Sequence, residues 1–175
     1  MQNTEKKKTI KTSDITVTAA MAALVFLGTY IFKIPTVSGY IHLGDCMILL
    51  TVALFGMRKG AVAGAVGGGL SDLLGGFFYW AGPTLLIKSM LALVMGAVMY
   101  KLLKNRRGAF LAGAAAGGVL QIAAYTVVRM FIYGIQTALI EVPGLALQTG
   151  AGIVIGFAIY KILAKSCLAG RLGMM

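Results

Sequence analysis

Apolar side chains run almost without interruption over residues 15–32, 45–57, 60–76, 84–103, 109–134 and 143–163. Turn-forming or charged residues part these runs: Pro35 with Gly39, Gly56-Met57-Arg58-Lys59-Gly60, Gly82-Pro83, the basic stretch 104–107, and Pro143-Gly144. A helix that crosses a bilayer needs roughly 20 mostly apolar residues. The pattern therefore predicts an all-α membrane protein, a bundle of six transmembrane helices over 15–165, with a segment 1–14 before it and a tail 166–175 after it. The second and third runs are short, so they extend a turn into their flanks or tilt less than the others. The run 15–32 follows a basic start, but it is longer than the apolar core of about 7–15 residues in a secretory signal, and it reads as a retained first span.

Composition removes the soluble alternative. Apolar residues make up 59% of the chain and charged residues 12%, against about 25% charged in a soluble domain; the mean hydropathy is +0.89. The few charges set the orientation. With the N-terminus inside, Lys6, Lys7, Lys8, Lys11, Arg58, Lys59, Lys101, Lys104, Arg106, Arg107, Lys161, Lys165 and Arg171 all fall at the cytoplasmic face, leaving only Lys33, Lys88 and Arg129 of the 16 basic residues elsewhere. That arrangement satisfies the positive-inside rule at every cytoplasmic position and places both termini in the cytoplasm. One span more or fewer would throw the later clusters outside. The net charge of +11 follows from this bias and implies attraction to anionic lipid headgroups, not nucleic-acid binding.

The remaining charges gather on the other side. Asp45, Asp72 and Glu141 fall there with Lys33, Lys88 and Arg129; Asp72 and Lys88 sit about a turn, and Arg129 about a turn and a half, inside their spans. Charges at that depth are costly and face a bundle interior or a wet cavity, where they pair or bind a ligand. Gln121, Tyr125 and Arg129 recur every four residues, forming a polar stripe on one face of the fifth span, with Tyr133 a turn further on as an interfacial aromatic. Gln148 joins from the sixth span, Tyr40, His42 and Asp45 from the outer loop 33–45, and Tyr79 and Trp80 from the outer loop 77–84. The set Tyr40, His42, Asp45, Asp72, Trp80, Lys88, Gln121, Tyr125, Arg129 and Gln148 thus outlines an outward pocket, aromatic and polar by turns, suited to a small heteroaromatic solute. Structural readings stand beside this one: ion pairs Asp72–Lys88 or Asp45–Arg129 that only fix helix register, and Tyr79 and Trp80 as members of an interfacial belt. Glycines spaced by four, as in Gly60-Gly64-Gly68 and Gly152-Gly156, read as close helix packing.

Catalysis finds no footing. There is no G-x-x-x-x-G-K-[ST] phosphate loop, no paired acids, and no Ser or Cys set beside a histidine. The lone His42 reads as a loop hydrogen-bond partner, since no second His or Cys stands at metal-ligand spacing; neither metal nor cofactor is expected. Cys46 and Cys167 fall on opposite sides of the predicted bilayer and cannot bridge.

Four stretches, Thr18-Ala19-Ala20-Met21-Ala22-Ala23-Leu24, Ile41-His42-Leu43-Gly44-Asp45, Leu54-Phe55-Gly56-Met57-Arg58-Lys59-Gly60 and Gly67-Gly68-Gly69-Leu70-Ser71-Asp72-Leu73-Leu74-Gly75-Gly76, stand in an order that resembles the substrate-binding S components of energy-coupling factor (ECF) vitamin transporters, within the riboflavin-type S component group. The resemblance implies a multi-pass protein of a prokaryotic plasma membrane. It would capture a vitamin or precursor from outside, then dock on a transmembrane coupling protein that carries two cytoplasmic ATPases and topple within the membrane during transport. It also implies that Ala19 and Ala23, matching an A-x-x-x-A face, contact the coupling protein. A small pyridine or pyrimidine such as pyridoxine or hydroxymethylpyrimidine is the favoured solute, with riboflavin a further candidate. The residues themselves leave open a stand-alone channel or proton-coupled porter using Asp72, Lys88 and Arg129, and an assembly protein without a small ligand.

Overall fold

The computed structural model describes residues 11–36 and 40–165. Lys6, Lys7, Lys8, Gly39, Cys167 and Arg171 lie outside the described residues. Among the described residues there are six α-helices, α1 (Thr12–Tyr30), α2 (Gly44–Phe55), α3 (Met57–Leu74), α4 (Phe78–Gly96), α5 (Ala109–Tyr133) and α6 (Ile135–Lys165), with α4 prolonged by a π-helical stretch, Ala97–Leu102. Four of them, α1, α4 with its extension, α5 and α6, are long and apolar enough to cross a membrane. The apolar α2 has only 12 residues, and α3 dilutes its hydropathy with Gly60, Gly64, Gly67, Gly68 and Gly69.

Each helix packs on its neighbours in the order α1, α3, α4, α5, α6, α2, and α2 returns to α1 to close the ring. Large apolar side chains cover the outside, Phe131 at 87% exposure among them, whereas Asp45, Lys88 and Gln121 are sealed inside, Lys88 at 1%. A water-soluble fold distributes these residue types the other way. The reversal is what a bilayer imposes, because lipid tails solvate leucine and phenylalanine but not an ammonium.

Glycine sets how close the helices come. A Cβ on Gly67 would stand 2.5 Å from the backbone oxygen of Ala22 and 2.8 Å from Val25 Cβ, so α3 and α1 touch nearly backbone to backbone there. Gly60, Gly64 and Gly68 face Val52, Ile48 and Thr84 at similarly tight range. Elsewhere glycine turns the chain: Gly56, at φ +94°, is the whole connection between α2 and α3, and Gly134, at φ +85°, is that between α5 and α6. A side chain would strain either position.

The apolar pattern misplaces two boundaries. Pro83 and Pro143 lie inside α4 and α6, not before them, so α4 begins at Phe78 instead of about residue 84 and α6 at Ile135 instead of about residue 143. The expected outer loop 77–84 is therefore mostly the first turns of α4, and Tyr79, Trp80 and Glu141 stand on helices. A proline forfeits one helical hydrogen bond, and a membrane helix packed among others absorbs that loss more readily than an isolated one. The other departure is a short antiparallel hairpin between α1 and α2, β1 (Ile34–Pro35) with β2 (Tyr40–Ile41), in the register Ile34 to Ile41 and Pro35 to Tyr40. The hairpin lies at the end of the bundle where α1, α3 and α5 finish and α2, α4 and α6 start.

The tight contact at Gly67 predicts that Gly67→Ala costs about 1–3 kcal/mol, because the added methyl meets backbone. Gly82→Ala, where nothing lies within 4 Å of the added carbon, should be neutral or stabilise by up to about 1 kcal/mol through helix propensity. Thermal unfolding of the two variants in detergent checks both signs.

Candidate functional site

Helical spacing delivers polar side chains to the hairpin end in layers. On α5 the residues Gln121, Tyr125 and Arg129 share one buried face, as their four-residue repeat requires. On α4 the residues Trp80, Thr84 and Lys88 do the same, and α6 contributes Glu141, Leu145 and Gln148.

The deeper layer is a sealed network. Asp45, in the first turn of α2, accepts from Lys88 Nζ at 2.5 Å, from Gln121 Nε2 at 2.7 Å and from Gln148 Nε2 at 3.0 Å. Lys88 also donates to Gln121 Oε1 at 3.0 Å, and Gln121 Nε2 reaches Thr149 Oγ1 at 3.3 Å. Stripping water from either charge costs several kcal/mol, which attraction offsets only when the other lone pairs and protons are also satisfied. Here the carboxylate takes three donors and sits at a helix N-terminus, where the backbone N–H groups favour negative charge.

Above this layer a cavity of about 410 Å³, counting its open mouth, is lined by Tyr40, His42, Asp72, Trp80, Tyr125, Arg129 and Gln148 together with Thr29, Thr84 and Leu145. Seven of the ten residues singled out in the sequence thus meet around one space. The other three, Asp45, Lys88 and Gln121, do not line it; they form its support.

The ion pairs also differ from those weighed in the sequence. Neither Asp72–Lys88 nor Asp45–Arg129 forms; Lys88 pairs with Asp45, and Arg129 Nη2 meets Glu141 Oε2 at 3.3 Å. The α6 helix, starting eight residues early, brings Glu141 beside α5, and the ring order sets α2 opposite α4. The Arg129 guanidinium lies over the rings of Trp80, at 5.1 Å, and Tyr125, at 5.9 Å, a stacking that a planar cation favours. Trp80 Nε1 donates to Tyr133 Oη at 3.3 Å and the two rings stack, so Tyr133 has a packing partner inside the bundle beyond any interfacial role. Tyr125 donates to Thr84 at 3.2 Å.

The hairpin forms the roof. Tyr40 donates to Asp72 Oδ1, Thr36 to Glu141 Oε2 at 3.0 Å, and the His42 backbone N–H to Gln148 Oε1 at 3.1 Å. Lys33 donates to the Ser71 carbonyl at 3.2 Å, in the last turn of α3, and its ammonium rests 4.4 Å from the centre of the Tyr40 ring and 4.5 Å from that of Tyr30. Burial lowers the pKa of Lys33, partly countered by Asp72. Burial and the Asp72 carboxylate both raise that of Tyr40, which stays a phenol and hence a donor. Two buried oxygens of the wall, Asp72 Oδ2 and Thr29 Oγ1, take no close hydrogen bond from the described residues, although the Thr84 hydroxyl stands beside the Asp72 carboxyl.

Sequence reasoning passed over Thr29, Thr84 and Leu145. A threonine at the end of an apolar run was a usable signal for the first two; Leu145 offered none. Among the described residues, no three His, Cys, Asp or Glu side chains gather as a metal centre would need. Ala19 and Ala23 lie exposed on α1, on the face turned away from the buried Ala22, Val25 and Thr29 and apart from the cavity.

The family described as the ECF-type riboflavin transporter, S component, matches this chain over residues 9–165. An uncharacterized protein in the gap 3′ region of Pyrococcus woesei is 35% identical over 132 residues, which cover 75% of this chain and 87% of that one.

Two measurements probe the geometry. Lys88→Met leaves the Asp45 carboxylate buried without its cation and should cost about 3–5 kcal/mol, much of it recovered by adding Asp45→Leu; thermal unfolding of the single and double variants reads this. Burial, with Lys88 and Lys33 nearby and only Asp45 opposing them, lowers the pKa of His42 from 6.5 to about 3. Between those values the unfolded chain holds a proton that the folded chain refuses, so this residue lowers stability as pH falls, by up to about 1.4 kcal/mol per pH unit. His42→Gln should flatten the unfolding profile measured from about pH 7 down to about pH 4.

Proposed function

The chain belongs to the S components of ECF-type riboflavin transporters, and on that premise we propose that its cavity captures a single-ring nitrogen heterocycle, a pyridine or pyrimidine such as pyridoxine or hydroxymethylpyrimidine. Membership makes it a multi-pass cell-membrane protein and the substrate-capture component of a vitamin-type transporter, not an enzyme. The observation that carries the choice of solute is the wall itself. A guanidinium, a carboxylate with a buried oxygen that takes no close hydrogen bond from the described residues, and the rings of Tyr40, Trp80 and Tyr125 border one space. Flat aromatic walls with a few convergent polar groups are the setting in which heteroaromatic rings bind. Riboflavin is the alternative reading, carried by the family's description.

In this reading all six helices cross the bilayer, both termini are cytoplasmic, and the hairpin end faces outward. Support comes from the basic residues: Lys11, Arg58, Lys59, Lys101, Lys104, Arg106, Arg107, Lys161 and Lys165 all belong to the end opposite the hairpin, the distribution expected of a cytoplasmic face. The short α2, about 18 Å long at 1.5 Å per residue, reaches the outer surface through the hairpin, whose backbone pairs with itself and with the bundle as non-helical chain in a membrane must. Energy comes from partners, a transmembrane coupling protein with two cytoplasmic ATPases, since the chain has no phosphate loop of its own. The exposed small residues Ala19 and Ala23 on α1 suit close approach of a partner helix there.

Titration of the purified protein with pyridoxine, hydroxymethylpyrimidine and riboflavin tests the solute. A single-ring compound should bind tightest, and Arg129→Ala should weaken it about tenfold or more; unchanged affinity in that variant would remove the cavity from the account. Liposomes holding this chain alone should take up none of the three, and uptake without ATPases would establish the porter instead. Ala23→Trp should leave binding intact while abolishing uptake by the assembled complex.

A further inference from the structure

On the solute-capture reading, the fixed polar atoms of the wall decide which atoms of a solute are read. His42 and Gln148, side by side in the wall, are each locked by hydrogen bonds within the protein. His42 Nδ1 accepts the Gly44 backbone N–H at 3.1 Å, so a neutral ring carries its proton on Nε2. Gln148 Oε1 accepts the His42 backbone N–H at 3.1 Å while its Nε2 donates to Asp45 Oδ2 at 3.0 Å. Flipping that amide would set oxygen against carboxylate and nitrogen against N–H, so its orientation is as fixed as the tautomer. The ion pair of Asp45 with Lys88 anchors the arrangement from below.

Asp72 supplies the opposite polarity. Its Oδ1 is taken by the Tyr40 hydroxyl, the residue is 3% exposed, and its Oδ2 takes no close hydrogen bond from the described residues, with the Thr84 hydroxyl beside the carboxyl. An ionised carboxylate only accepts.

We propose that the cavity selects its solute by two fixed poles, the Nε2–H of His42, which calls for an acceptor such as a ring nitrogen, and Oδ2 of Asp72, which calls for an N–H or O–H donor such as an amino or hydroxymethyl group. A ring bearing both is accepted. A ring of the same shape with C–H in place of the nitrogen leaves a donor of the wall unpaired and is rejected, because a site built around hydrogen bonds discriminates most strongly against the partner that lacks one.

Paired probes test this on the unaltered protein. Pyridoxine is compared with its benzene analogue, in which the ring nitrogen is C–H, and hydroxymethylpyrimidine with its analogue bearing methyl in place of hydroxymethyl. The parent should favour the complete member of each pair about tenfold or more. In His42→Phe the preference for ring nitrogen should collapse to near parity while that for hydroxymethyl persists, and in Asp72→Leu the reverse should hold. Equal affinity within the pairs for the parent, or preferences unchanged in both variants, would overturn the two-pole assignment while leaving solute capture standing. Failure of the parent to bind any probe would instead strike the solute reading on which it rests. The parent comparison needs no substitution, so the test survives a variant that does not fold.

Discussion

An ammonium and a carboxylate, Lys88 and Asp45, are held 2.5 Å apart where neither reaches solvent, and the organisation of the bundle follows from satisfying them. The pair joins α4 to α2. Completing its hydrogen bonds draws in Gln121 from α5 and Gln148 and Thr149 from α6. Below this polar floor the interior is apolar, with Val25, Ile48, Val52, Leu91, Met95 and Phe110 packed together. Above it lies the cavity. Because lipid offers no hydrogen bonds to a misplaced charge, the floor admits few alternative helix registers, and the side chains above inherit that definition.

A second set of contacts closes the top. Arg129, Glu141 and Thr36 link α5, α6 and the hairpin just past β1, while Tyr40 with Asp72, and Lys33 with Ser71, fasten the hairpin to α3. Several of the same side chains both line the cavity and anchor its roof. Arg129 and Asp72 are among them.

Much of this was legible in the chain itself, and the reason is periodicity. Apolar runs located the helices, and the repeat Gln121, Tyr125, Arg129 placed three residues on one buried face without knowledge of any neighbour. Ion pairing was not legible, because whether Lys88 meets Asp45 or Asp72 depends on which helices adjoin and how each is rotated. The role of Glu141 was hidden for a related reason: Pro143 suggested a loop, whereas the helix runs through it and carries Glu141 to Arg129. The hairpin was hidden too, since two-residue strands leave no pattern. Lys33 looked like a leftover charge, and only three-dimensional proximity reveals the rings of Tyr30, Tyr40 and Phe77 around it.

The central claim is that polar groups of the hairpin end are kept in a membrane bundle because a small ring compound binds among them. Native mass spectrometry of the protein released from detergent after incubation with a mixture of nitrogen heterocycles addresses it most directly. The account predicts a one-to-one adduct with a single-ring compound, lost when Arg129 and Asp72 are replaced together by alanine and leucine. No adduct with any member of the mixture, or an adduct indifferent to those replacements, would contradict it.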